Sequence, residues 1–236
     1  MDVVCLKWGD KFSHEHVNRL YRMVCKNFHS DFNFICHTEN SKGINSEVII
    51  KKLPDYDLEN WWWKLTLFET PSNCVKIFFD LDVVIQKDIT HLSEYAVTDM
   101  LCLIKAYWKP YDLKMFDTNL NSSIMIWQGD CTDIWNKFLQ DQEYYMFKYN
   151  GIDSFLHHDN LEKLLYLSKK EVYSRLYGID ENNYWEAGTD LNPEKYFYSQ
   201  NHNICIFNGW RRKTEYRGDR YLLDDEGYYG FEKYWD

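Results

Sequence analysis

Apolar residues in this 236-residue chain recur at two spacings, and the alternation between them outlines a fold. Residues 2–8 carry Val3-Val4-Cys5-Leu6, an unbroken apolar run that predicts a strand buried on both faces. Val17, Leu20, Tyr21, Val24 and Phe28 then recur at helical spacing. Ser13 stands where the N-cap of that helix belongs, and Glu15 lies in its first turn, where a carboxylate complements the dipole. Residues 32–37 predict a second strand and residues 47–51 a short third. Strand, helix and strand in this order make a βαβ unit, which implies parallel pairing with helices covering the sheet.

The pattern continues through a short helix at 61–69 and a strand at 75–79 that breaks abruptly into Asp80-Leu81-Asp82. Residues 100–106 and 122–127 predict further strands. Ile134, Trp135, Phe138, Leu139 and Gln142 trace one helical face, 151–167 reads as a helix with a break, and 204–207 as a last strand. With no internal repeat and no linker, the expectation is a single α/β domain over residues 1–236. Its sheet is Rossmann-like, mostly parallel and flanked by helices.

Composition narrows the function. Hydrophobic residues make up 45% of the chain against 10 Gly and 4 Pro, which excludes a disordered or low-complexity segment. The net charge of −10 argues against a nucleic-acid platform, which needs a basic face. The basic residues that do cluster, Arg211, Arg212, Lys213, Arg217 and Arg220, suit a small anion. No apolar run approaches the ~20 residues of a transmembrane helix, so no transmembrane segment is expected. The first residues lack a signal-peptide pattern, and the seven cysteines are widely spaced without a CxxC pair. Reduced thiols in a cytoplasmic protein are the expectation.

The sharpest chemical feature is Lys76-Ile77-Phe78-Phe79-Asp80-Leu81-Asp82-Val83-Val84-Ile85. In extended backbone, acids at i and i+2 point the same way, so Asp80 and Asp82 can face one divalent cation at a strand exit. Hard oxygen ligands suit Mn²⁺ or Mg²⁺, and such an ion can clamp a diphosphate leaving group. The same letters also satisfy the DxDx(T/V) motif of haloacid-dehalogenase-type phosphatases, with Asp80 as nucleophile and Asp82 as acid/base. Against that reading, a βαβ unit precedes the motif, which in those phosphatases closes the first strand.

The flanking segments come in a recognisable order. They are Val4-Cys5-Leu6-Lys7-Trp8-Gly9-Asp10, Trp62-Trp63-Lys64-Leu65, Phe79-Asp80-Leu81-Asp82, Asn121-Ser122-Ser123-Ile124-Met125 and Phe207-Asn208-Gly209. From residue 2 to about residue 213 the chain resembles the DxD-containing, GT-A-fold glycosyltransferases related to family eight, particularly a bacterial and viral branch. The resemblance implies transfer of a sugar from a nucleotide-diphosphate donor, UDP-sugar favoured, to a glycan or other hydroxyl acceptor, with retention of configuration. It implies a nucleotide-binding half over about 1–90 and an acceptor half over about 91–236.

By the same resemblance, Lys7, Trp8 and Gly9 line the base and ribose, and Lys64 faces the donor phosphates. Asp80 and Asp82 contact metal and ribose, and Asn121 hydrogen-bonds the donor sugar. Asp153 matches the acid of an Asp-Gln segment near the acceptor, where Ser154 replaces the Gln. Ser123 stands where the family has a very small residue. Asn208 takes the place of a His that supplies the third metal ligand, so Mn²⁺ (or Mg²⁺) is expected to bind more weakly. Gly209, Arg212 and Lys213 follow, the arginine placed to grip phosphate bidentately. Trp8, Trp62, Trp63, Trp127 and Trp210 fall in or beside these segments, either stacking on base and sugar or supporting the site from behind. His157-His158-Asp159 reads as a solvated helix end. The alternative from another class is a GT-A-like domain that binds nucleotide or glycan without turnover.

Overall fold

Alternation along strand β1 (Asp2–Lys7) divides the molecule into two cores. Val3 and Cys5 turn to one face of the sheet and share a core with Val17, Leu20 and Val24 of helix α1 (His14–Asn27). Val4 and Leu6 turn to the other, with Leu65 and Phe68 of a 3₁₀ segment, Asn60–Phe68. The computed structural model describes residues 1–109, 117–175, 177–180, 197–207 and 231–235.

The remaining strands are β2 (Asn33–Thr38), β3 (Ile49–Lys51), β4 (Ser72–Phe79), β5 (Val83–Ile85), β6 (Leu101–Lys105), β7 (Leu120–Gly129), β8 (Leu164–Tyr166), β9 (Val172–Ser174) and β10 (Ile204–Ile206). Together with β1, six of them form one seven-stranded sheet in the order β3-β2-β1-β4-β7-β6-β8, and β5-β10-β9 form a smaller one. Pairing is parallel from β3 through β4 and between β6 and β8; β7 runs antiparallel to both neighbours. The expected mostly parallel sheet with flanking helices is therefore present. Helices α2 (Thr132–Leu139), α3 (Gln142–Lys148) and α4 (Ile152–Asp159) follow β7.

Ser13 is the N-cap of α1, but its reciprocal partner is His16, whose Nδ1 accepts from the Ser13 N–H at 3.2 Å. Glu15 pairs with Arg22 at 2.7 Å. Four expectations change. The helix expected at 61–69 is wound as 3₁₀, which lines up Trp62, Leu65 and Phe68, spaced by three, as one buried ridge. The face running from Ile134 to Gln142 belongs to two helices, because Asp141 accepts from Tyr144 N at 3.0 Å and caps α3. The stretch 151–167 is helical only to Asp159; a 3₁₀ turn follows, and then β8 fills the edge beside β6. Strand β9 was not expected, three residues being too few for a period to show.

All seven cysteines are free, and five are buried, in keeping with small apolar side chains. Among the described residues no helix is long and apolar enough to cross a membrane.

Candidate active site

The parallel strands β1, β2 and β4 end on the same side of the sheet, where ligands settle in open α/β folds. At the exit of β4 the Asp80 N–H donates to Ser123 O at 2.9 Å. The chain then turns at Leu81 and Asp82 before resuming as β5, and buried Leu81 anchors the turn. This corrects the extended backbone assumed for the two acids. They still lie within each other's field: burial, then the charge of Asp80, push the Asp82 carboxyl from 3.8 up to about 7, against Lys11 and Lys64. Asp82 O accepts from Phe207 N at 3.1 Å, which ties the turn to the end of β10.

Lys64 reaches this turn from the 3₁₀ segment. Its Nζ lies 2.8 Å from Asp80 Oδ2, 3.2 Å from Ser122 O and 3.3 Å from Ser122 Oγ. With side-chain exposures of 12% for Lys64 and 23% for Asp80, the pair is largely withdrawn from water. Ser122 is available because β7 bulges: its pairing with β6 jumps from Leu103↔Met125 to Ile104↔Asn121. Inside the bulge the Ser122 N–H donates to Asp153 Oδ1 at 2.9 Å, and the Ser123 N–H donates to Asn121 Oδ1 at 3.0 Å. Lys64, Asp80, Asn121, Ser122, Ser123 and Asp153 thus converge around one distorted strand.

Asp153 is set by the start of α4. Gly151 precedes that helix with φ +140°, and a Cβ there would collide with the Trp61 indole. Ser154, next in the chain after Asp153, is buried and donates to Asp117 Oδ2 at 2.5 Å. Lys109 lies nearby, its Nζ donating to Leu120 O at 2.6 Å; burial lowers its pKa while Asp153 and Asp117 oppose the shift. His158 bonds Asp117 O at 2.9 Å and stacks on Tyr149, while Asp159 accepts from Tyr149 OH.

At the exit of β1, buried Lys7 curls back to Gly9 O at 3.4 Å. Gly9 sits at φ +57°, and its N–H donates to Glu39 Oε1 at 2.6 Å. Trp8 and Trp63 are partly buried against the second core. Trp62 stacks on Phe138 at 5.2 Å and Trp127 packs on Phe68 at 5.1 Å; both are core residues, which settles them as supports and not stacking platforms. Asn208, Gly209, Trp210, Arg212 and Lys213 lie outside the described residues. Sequence reasoning passed over Glu39, Lys11, Asp117 and Lys109. Glu39 carried a signal, a charged residue directly after a parallel strand; the others carried none.

The Asp80–Val84 motif leaves the fourth strand of the chain, between parallel β1 and antiparallel β7, and not the first strand as the phosphatase reading requires. At the level of sequence no family model matches the chain, and neither does any curated protein. Solved structures do. The galactosyltransferase LgtC, crystallised with donor and acceptor sugar analogues, superposes with a TM-score of 0.61 at 12% identity, over 99% of this chain and 94% of its own. Mouse xyloside xylosyltransferase 1 gives 0.54 at 11% identity, over 88% and 98%. GlyE of Streptococcus pneumoniae TIGR4 gives 0.51 at 11% identity, over 72% of this chain and 45% of its own. The fold is that of GT-A glycosyltransferases.

Proposed function

We propose that this chain is a cytoplasmic glycosyltransferase that moves a sugar from a nucleoside-diphosphate donor, a UDP-sugar by preference, to an acceptor hydroxyl, retaining configuration. One observation carries the reading. A largely buried Lys64–Asp80 pair is held by a strand bulge that also engages Asn121 and Asp153, at the carboxyl ends of parallel strands. A fixed ammonium beside carboxylates is a sound place to receive a diphosphate, since it is already oriented when charge develops on the leaving oxygen.

The donor set suits a divalent cation. Burial, then the charge of Asp80, oppose ionisation of Asp82, and a hard cation held at this turn would relieve both. Asp80 and Asp82 would hold Mn²⁺ or Mg²⁺, with Asn208 as a weaker amide ligand. The bound ion supplies charge neutralisation for the diphosphate.

This chain's own residues supply the rest. Lys64 exchanges Asp80 for a phosphate oxygen, and Arg212 with Lys213 adds a second cationic grip beside Gly209. Asn121 spends its Oδ1 on Ser123 N and presents its amide N–H₂ to a sugar hydroxyl. Asp153, fixed by the Ser122 N–H, carries the negative charge that meets the developing positive charge on the sugar. Trp8 and Gly9, with Lys7 bracing their loop, border the base over residues 1–90, and residues 91–236 meet the acceptor.

Thermal stabilisation by nucleoside diphosphates with and without Mn²⁺ tests the binding half of this reading. UDP is expected to stabilise the wild type more with Mn²⁺ than without, and GDP less. Identical melting with every nucleotide contradicts it.

A further inference from the structure

A second cationic place lies on the same face of the sheet, behind the far end of the 3₁₀ segment. A cavity of about 110 Å³ opens there, well above the ~10–15 Å³ that admits one water molecule. Three basic side chains line it from three strands: His37 of β2, Lys51 of β3 and Lys76 of β4. Parallel register sets His37 directly beside Lys51. Thr66 and Thr70 close the side toward the 3₁₀ segment.

The two lysines of the cluster have no ion-paired counter-charge among the described residues. Neither lysine forms an ion pair or hydrogen bond with a described residue, and among those residues Lys76 meets one ring, Trp127, at 5.8 Å. The one carboxylate lining the cavity, Glu69, is exposed and accepts from Tyr56 OH at 2.7 Å. The mutual repulsion registers in the titration of the group: burial, then Lys51 and Lys76, hold His37 down at about 4. Burial and Lys51 likewise lower Lys76, opposed by Asp2 and Cys74. A chain of net charge −10 has acids to spare, yet the one carboxylate lining this cavity, the exposed Glu69, pairs with neither lysine.

We propose that the cavity lined by His37, Lys51 and Lys76 is a binding site for a phosphate-type oxyanion, separate from the Lys64–Asp80 site. A tetrahedral oxyanion has acceptors for two ammonium groups and one imidazole N–H at once. The group is either free inorganic phosphate or the phosphate of a small monoester.

Titration calorimetry at constant ionic strength, with inorganic phosphate and with glycerol 3-phosphate as probes, tests this on the full chain. Saturable binding is expected, surviving in Lys64→Met and falling about 100-fold or more in Lys51→Met/Lys76→Met, at about tenfold per charged hydrogen bond. Response to both probes assigns the monoester; response to phosphate alone assigns the free ion. Binding by the double variant within about twofold of wild type overturns the proposal, as does loss of binding in Lys64→Met alone. Because the double variant can fail to fold, the His37 ring resonances are followed in wild type, assigned through His37→Gln. They are expected to move with phosphate along the same saturation curve, and resonances that stay fixed overturn the proposal independently.

Discussion

The 3₁₀ segment Asn60–Phe68 borders two cationic places that differ in one respect. At one, Lys64 faces Asp80 at 2.8 Å and is held by Ser122 as well. At the other, beyond the segment's end, Lys51 and Lys76 face a cavity without an ion pair to any described residue. A lysine neutralised inside the chain is oriented in advance and can trade its partner for a phosphate as a reaction proceeds. Lysines left uncompensated hold a charge that a ligand from solution must meet. The first arrangement suits turnover and the second suits retention.

The largest expected break in this comparison is Lys64→Met. It strips Asp80 and Ser122 of their shared donor and is expected to lower sugar transfer about 10²- to 10³-fold. Urea unfolding should show a loss of about 2 kcal/mol from leaving the largely buried Asp80 unpaired. Unchanged turnover would detach the pair from the chemistry. Next comes Gly151→Ala, which forces a Cβ toward Trp61 at positive φ and is expected to destabilise by about 2 kcal/mol while displacing Asp153. A melting curve equal to wild type would contradict it.

The cavity gives two smaller tests. His37 is held at about 4 in the folded chain against an ordinary 6.5, so it folds neutral. Its contribution is complete above pH 6.5 and is lost as pH falls from there toward 4, on the order of 1–2 kcal/mol. His37→Gln should flatten that part of the stability profile; His16, also held at about 4, keeps its own slope in both proteins. A variant profile that parallels wild type would refute the effect. The smallest effect has the opposite sign to Lys64→Met: Lys51→Met relieves repulsion and is expected to stabilise the anion-free protein by about 0.5 kcal/mol. Destabilisation on urea unfolding would mean that Lys51 has a partner.

Much of the frame was legible in the pattern of residues. Val3-Val4-Cys5-Leu6 and Val75 to Phe79 read as buried strands because both faces of a parallel sheet are covered, and α1 read clearly because one face is wet. The abrupt change from Phe79 to Asp80 marked the strand exit that the structure places beside Lys64. The bulge in β7 was not legible: Ser122 and Ser123 look like polar interruptions of a strand until pairing with β6 shows the jump in register. The 3₁₀ pitch escaped for a similar reason, since Trp62, Leu65 and Phe68 fit a helical face at either winding. The cluster of His37, Lys51 and Lys76 depends on strand order, which brings distant residues together and leaves no local trace.

The central claim, that the turn at Asp80–Asp82 serves transfer from a nucleotide-sugar, is tested most directly by nucleoside diphosphate release from a panel of nucleotide-sugars. Wild type is expected to release diphosphate when Mn²⁺ is present, and Asp82→Ala to release it at least about 100-fold more slowly. Undiminished release by Asp82→Ala would contradict the claim. So would phosphate release from a simple phosphomonoester with no response to any nucleotide-sugar.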